Sequence, residues 1–401
     1  MSTAPTAPRA SLLTLAYLAF ISLGLPDGLI GVGWPSISSD FHVPTAAVGL
    51  VLTSATVGYL TSSVAAGFAL TRLGVGGLLA VSTALAALAL GGFVASPALA
   101  LMIGCALLLG LGSGAIDSGL NAYAAGAFGP RHMNWMHAFF GLGVALGPLI
   151  MTGVLKLGLS WRWGYGTVAV AQLVLASAFV LTLRAWGRRR VGGAAAPGEA
   201  TPIAVRGRDT LALPAVWFGV LAFAVYTAIE VAAGLWAYLL LTTGRGMGAT
   251  AAGICVSGYW ASLFVGRVVQ GVVAERLGTG RVLVGSLAGM AAGAVLVAVP
   301  GPAYLAVAGL AIIGFAAAPV FPLLTLTTAE RVGPAHADRT IGLQIAGAGL
   351  GGALIPAGIG LLLGGDVERL GPALTVLSLL LLALYAASAR RRSSAASPVA
   401  A

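Results

Sequence analysis

Twelve stretches of this chain, residues 11–34, 44–70, 76–96, 98–126, 134–157, 163–184, 212–242, 249–273, 280–299, 302–328, 339–364 and 370–388, each hold at most one Asp, Glu, Lys or Arg. About 20 mostly apolar residues are enough to carry a helix across a bilayer. Hydrocarbon offers no partner to backbone N–H and C=O groups, so each run has to satisfy its own, which a helix does. The pattern therefore predicts an all-α membrane protein with twelve transmembrane helices. Composition agrees: 8% of the residues are charged and 59% apolar, against ~25% charged in soluble domains.

The opening MSTAPTAPRA is short and polar and lacks a small-residue cleavage site beyond the first apolar run, so the first helix is expected to be retained. Cys105 and Cys255 each lie inside an apolar run. That placement suits packing, not a disulfide framework or a metal knuckle.

The net charge of +10 comes from 21 basic and 11 acidic residues. With an even number of spans both termini share one side, and sixteen of the 21 basic residues then fall on that side. Lys156, Arg162, Arg245 and Arg369 fall on the other, and Arg267 lies within a span. The positive-inside rule makes the richer side cytoplasmic. The basic excess thus reports topology and not a nucleic-acid partner. Residues 184–209 form the only long polar segment, which predicts an N-terminal six-helix bundle over 1–184, a cytoplasmic linker over 185–211 and a C-terminal six-helix bundle with a tail over 212–401.

The halves repeat one another. At an offset of 204 residues Gly67, Arg72, Leu73 and Gly74 meet Gly271, Arg276, Leu277 and Gly278. Gly129, Pro130 and His132 meet Gly333, Pro334 and His336, and Gly143 and Gly147 meet Gly347 and Gly351. At 203, Asp27 and Gly31 meet Glu230 and Gly234. Two six-span halves of like orientation are the layout of major facilitator transporters, whose substrate site lies near mid-membrane. The chain resembles that superfamily by motif as well: its loop signature occurs as GFALTRLG (Gly67 to Gly74) and as GVVAERLG (Gly271 to Gly278), followed by Arg281. The resemblance implies a gating role for Gly67, Arg72, Gly74, Gly271, Glu275, Arg276, Gly278 and Arg281. Thr71 stands where an acid is usual, whereas the second copy keeps Glu275.

A charge at mid-membrane costs at least ~2.5 to 3.5 kcal/mol on insertion scales, so each one needs a wet, paired or functional position. Asp27, Asp117, His137 and Glu230 are the ionisable groups singled out on this ground, with Asn121, Gln172 and Gln344 as polar companions. Asp27 sits between Pro26, which interrupts the helix ladder, and Gly28. Asp117 and Asn121, four residues apart, share a helix face suited to hydroxyl groups. Tyr226 and Glu230 share another, with Trp236 and Tyr238 further along. His137 opens its span as either a gate or a ligand contact.

A narrower likeness rests on DSGLNAYAA, MNWMHAFFGLGVALGP, YTAIEVAAGLWAYL, GYWASLFVGRVV and IGLQIAGAGLGGALIP with the acid of the first span. In these the chain resembles the fucose and glucose permease branch, which are sugar:proton symporters, and its bacterial relatives. The resemblance implies proton coupling through Asp27, Asp117 and Glu230. It also implies solute contacts from Asp27, Asn121, His137, Tyr226, Glu230, Trp236, Trp260 and Gln344. It implies no cofactor, a proton as coupling ion with sodium as the alternative, and a monomer in the bacterial inner membrane with both termini cytoplasmic. An exporter of drugs or metabolites is the competing expectation, because Gly143 to Pro148 partly matches the glycine-proline motif of antiporters. No HExxH, GxSxG or GxxxxGK[ST] run occurs, so an enzyme is not expected.

Overall fold

The computed structural model describes residues 10–186 and 207–395. The middle of the expected linker, 187–206, lies outside the described residues. Among those described, fourteen α-helices follow in order: α1 (Ala10–Asp40), α2 (Val48–Ala95), α3 (Leu99–Ala127), α4 (Gly129–Lys156), α5 (Arg162–Leu181), α6 (Gly207–Leu211), α7 (Pro214–Leu239), α8 (Ala249–Leu277), α9 (Thr279–Ala298), α10 (Ala303–Ala317), α11 (Val320–Leu326), α12 (Thr328–Val332), α13 (Pro334–Leu363) and α14 (Leu370–Ala395). Among the described residues there is no strand.

Eleven helical runs of the described residues are long and apolar enough to span a membrane, one of them the 51-residue run Thr45–Ala95. That run is two helices, because Gly74 breaks it at φ 69° and ψ 173°. Gly278, at the matching place between α8 and α9, has φ 84°. Only glycine adopts this left-handed region without strain, so the loop signature turns the chain in both halves. Arg72 stacks on Phe68 with its guanidinium 4.2 Å from the ring centroid. Arg72, Arg276 and Arg281 are all exposed. Gly271 and Glu275 lie within α8, and the Glu275 side chain is outside the described ones.

α1 runs past Pro35 to Asp40, beyond the expected stop at residue 34. Proline removes a single hydrogen bond, here near the helix end, and the ladder resumes after it. The extra turns put Asp27 near the middle of α1.

Two compact units result. Unit 1 comprises the described residues up to His42 and from Leu50 to Trp186; unit 2 comprises Val43–Gly49 and the described residues from Gly207 onward. Unit 1 is held by a buried cluster in which Phe20, Leu79, Ile116, Leu120, Phe179 and Trp186 meet. Small residues bring its helices together: at Gly147 of α4 an added Cβ would come within 2.6 Å of the Gly28 backbone of α1. The repeat-related Gly351 of α13 sits as tightly on Ala224 of α7 in unit 2. Elsewhere large apolar side chains such as Val64 and Leu361 are exposed, as lipid-facing surfaces require.

The repeated GP-H turns have a common function in the fold. His132 Nδ1 lies 2.7 Å from the Tyr17 hydroxyl in unit 1. His336 Nδ1 lies 2.9 Å from the Thr210 hydroxyl in unit 2. Each unit also has a charged clasp. Arg162, at the start of α5, pairs with Asp40 at the end of α1 and donates 3.0 Å to the Ser96 carbonyl after α2. In unit 2, Arg245, just beyond α7, lies 2.8 Å from Glu368 before α14 and donates to the Gly301 and Val297 carbonyls.

Candidate functional site

Pro26 has no N–H, so the Ser22 carbonyl four residues back loses its helical donor. Gln172 of α5 replaces it, its Nε2 3.2 Å from that oxygen. The replacement keeps α1 continuous beside Asp27. From Ser22 to Trp34 every residue is buried except Asp27, which is exposed. A helix face turned to lipid would expose a stripe at three- and four-residue spacing. Phe20, Leu23, Gly24, Ile30, Gly31 and Trp34 are all buried. The exposure is therefore not part of a lipid-facing stripe and is confined to Asp27. Among the described residues no donor or cation is bonded to it.

On α3, Asp117 and Asn121 meet as their spacing predicts, with Asn121 Nδ2 donating 2.9 Å to Asp117 Oδ1. A third member is absent from the sequence expectations: Tyr59 of α2 donates 2.6 Å to Asp117 Oδ2. It reaches that far because α2 and α3 touch backbone to backbone: a Cβ at Gly110 would lie 1.9 Å from the Ala55 carbonyl, and one at Gly114 2.3 Å from that of Tyr59. The four-residue spacing of Gly110 and Gly114 is the signal that could have found it. Asn121 Oδ1 is buried with no acceptor role filled.

In unit 2 the centre is Glu230. Tyr226 donates to Glu230 Oε2, Arg267 Nη2 of α8 stands 3.9 Å from Oε1, and the Tyr259 hydroxyl donates 2.7 Å to the Glu230 backbone carbonyl. Arg267, which charge placement leaves inside a span, is thus paired with the acid. Trp260, half-buried, lies against Gly234, one turn beyond Glu230.

Three of the expected solute contacts have neighbours within their own unit. Trp236 is 1% exposed and donates its indole N–H 3.0 Å to the Pro356 carbonyl. Gln344, also 1% exposed, accepts a 3.0 Å bond from Thr328 and packs its amide on Gly219. Both join helices of unit 2, because a polar group in an apolar run meets a neighbouring helix as readily as a solute. His137 is exposed at the α4 surface with its ring edge-on to Phe20, centroids 5.2 Å apart. The hydrogen-bond partners of Asp117 are Tyr59 and Asn121. Among the described residues no group of three or more His, Cys, Asp or Glu could hold a metal ion.

The family model of the Major Facilitator Superfamily matches residues 16–356. The chain belongs to this superfamily. An uncharacterized MFS-type transporter of Yersinia pestis is 29% identical over 289 residues, covering 71% of this chain and 70% of the relative. The fold is similar to that of a mutant of the nucleoside transporter NupG, with TM-score 0.76, 16% identity, and coverage of 94% of this chain and 99% of that one. A bacterial homolog of the human lysosomal transporter Spinster aligns with TM-score 0.76 at 13% identity, over 96% and 98% of the two chains. FucP in its outward conformation aligns with TM-score 0.62 at 16% identity, over 95% and 98%. This superfamily member is therefore a multi-pass membrane transporter with the twelve-helix fold, not an enzyme.

Proposed function

We propose that this transporter moves a small polar solute, a sugar or a similarly hydroxylated molecule, together with a proton by alternating access, and that Asp27 carries the proton. One observation carries the assignment: Asp27 is the single exposed residue in a buried stretch of α1 and has no bonded partner among the described residues. Asp117 and Glu230 are each engaged by donors. A carrier has to exchange its proton with water in turn on the two sides, and a carboxylate clamped from two directions is poorly placed for that. The three acids expected to couple thus separate into one carrier, Asp27, and two groups, Asp117 and Glu230, each of which presents an acceptor to hydroxyls within its own unit.

The fucose-permease-like motifs support a sugar, and a nucleoside, which carries a sugar ring, fits the same chemistry. Sodium sites in transporters gather several oxygen ligands, unwound backbone carbonyls among them; α1 stays helical through Asp27, and among the described residues no group of three or more His, Cys, Asp or Glu includes it, which favours the proton. No cofactor enters this scheme. The working unit is a monomer in the bacterial inner membrane, and the distribution of basic residues supports cytoplasmic termini. A proton moved across 100 mV contributes ~2.3 kcal/mol, enough to concentrate a neutral solute roughly fifty-fold.

The test uses the full chain in liposomes under an imposed pH gradient, with labelled monosaccharides and nucleosides outside and a pH dye inside. Uptake of one probe with acidification of the lumen is expected. Asp27→Asn abolishes gradient-driven accumulation while exchange of that probe persists. A wild-type protein that instead expels lipophilic cations against the gradient identifies an exporter, and unchanged coupling in Asp27→Asn removes this residue as carrier.

A further inference from the structure

Gly234 follows Glu230 by four residues on α7 and so shares its face. The six-membered ring of Trp260 rests directly on the helix there: a Cβ at Gly234 would lie 2.1 Å from Cζ2 and 2.6 Å from Cε2. No other residue type fits beneath the indole. Its other neighbour is Tyr259, ring to ring edge-on at 4.9 Å, and Tyr259 is itself bonded to the Glu230 backbone. Trp260 is therefore fixed in height and tilt one turn along α7 from Glu230.

The indole N–H has been left for something else. Trp161, Trp186, Trp217 and Trp236 donate theirs to an oxygen of the protein, and Trp135 and Trp163, which do not, are exposed. Trp260 is half-buried, and among the described residues its N–H has no acceptor. One turn back along the face of α7 on which the indole rests is an acid able to accept from hydroxyls, with an arginine able to donate 3.9 Å from it.

We propose that Gly234 and Trp260 form a specificity device: the glycine seats the indole so that its ring face and its N–H read a hydroxylated ring, a pyranose or furanose, whose hydroxyls donate to Glu230. This deepens the proposed function by naming the group that selects the ring, and it rests on the reading that the Glu230 face meets the solute. Tryptophan combines a flat apolar face with one donor. A sugar presents a CH face and an oxygen rim to match it.

Binding is measured at equilibrium, with no gradient, on the full chain in nanodiscs, using D-glucose, L-fucose, uridine and the monodeoxy analogues of whichever binds. Trp260→Phe keeps the ring and deletes the N–H. It is expected to weaken the bound probe roughly tenfold, the usual consequence of leaving one polar partner unsatisfied. One deoxy analogue, lacking the accepting oxygen, binds wild type and Trp260→Phe equally. Gly234→Ala, which displaces the indole, reproduces the loss while Gly258→Ala, whose Cβ meets nothing within 4 Å, does not. Affinity for every probe within about twofold of wild type in Trp260→Phe overturns the proposal, as does a loss shared equally by all deoxy analogues, or failure of any hydroxylated ring to bind wild type. Because binding is read without a gradient, loss of proton coupling alone leaves this inference standing and strikes only the carrier mechanism.

Discussion

Tyr59 of α2 and Asp117 of α3 are joined by a 2.6 Å hydrogen bond across a helix contact so close that a Cβ at Gly114 would overlap the Tyr59 carbonyl. Tyr59→Phe removes only the hydroxyl. Leaving one partner of such a bond unsatisfied costs about 1 to 3 kcal/mol, so the melting temperature is expected to drop, and solute affinity to fall roughly tenfold if the phenol holds the carboxyl group in place for the solute. Equal affinity in the two proteins would show that the phenol does not orient the Asp117 carboxylate.

Gln172 and Pro26 make a second testable pair. In wild type, Gln172→Leu strands the Ser22 carbonyl, at about 1 to 3 kcal/mol. Pro26→Ala restores a backbone N–H four residues on, so Gln172→Leu in that background should be nearly neutral. A double-mutant cycle on thermal stability reads the coupling directly. Additive effects would show that Gln172 has some other task.

The two clasps should respond unequally to loss of the acid. Arg245 is 2% exposed, and Glu368→Ala leaves a buried guanidinium with carbonyl partners only; breaking a buried pair in this way costs about 3 to 5 kcal/mol. Asp40 is 44% exposed, and open pairs are worth up to about 1 kcal/mol. Melting curves at low and high salt are expected to show a large, salt-insensitive loss for Glu368→Ala and a small, screened one for Asp40→Ala.

Helix contact in unit 1 predicts a contrast along α4. Gly147→Ala forces a methyl into the Gly28 backbone and is expected to cost about 1 to 3 kcal/mol as overpacking. Gly153→Ala, six residues on with nothing within 4 Å of the added carbon, should be tolerated. Comparable melting temperatures would show that α1 and α4 can separate without penalty.

Much of this is legible in the sequence. Spans, repeat and the turns at Gly74 and Gly278 follow from apolar length and from residues that recur at one offset, both local properties of the chain. Asp27 and the Asp117–Asn121 pair stand out because a charge in an apolar run is costly and because four-residue spacing defines a helix face. Tyr59 does not, since nothing local links it to Asp117; a helix crossing does. Trp236 and Gln344 pose the converse problem, for their place in an apolar run is plain and only packing shows which neighbour takes the polar atom. Arg267 reads in the sequence as a charge without a side, and its pairing with Glu230 depends on how α8 lies against α7.

The clasps also bear on the internal repeat. Unit 1 puts its acid at the end of the first helix and its arginine before the last span, whereas unit 2 has the arginine first and the acid last. The two bonds thus sit at corresponding ends of the repeated helices with their signs exchanged. Attraction between opposite charges is indifferent to which helix end bears which, and the two halves are electrically inverted portraits that close matching seams.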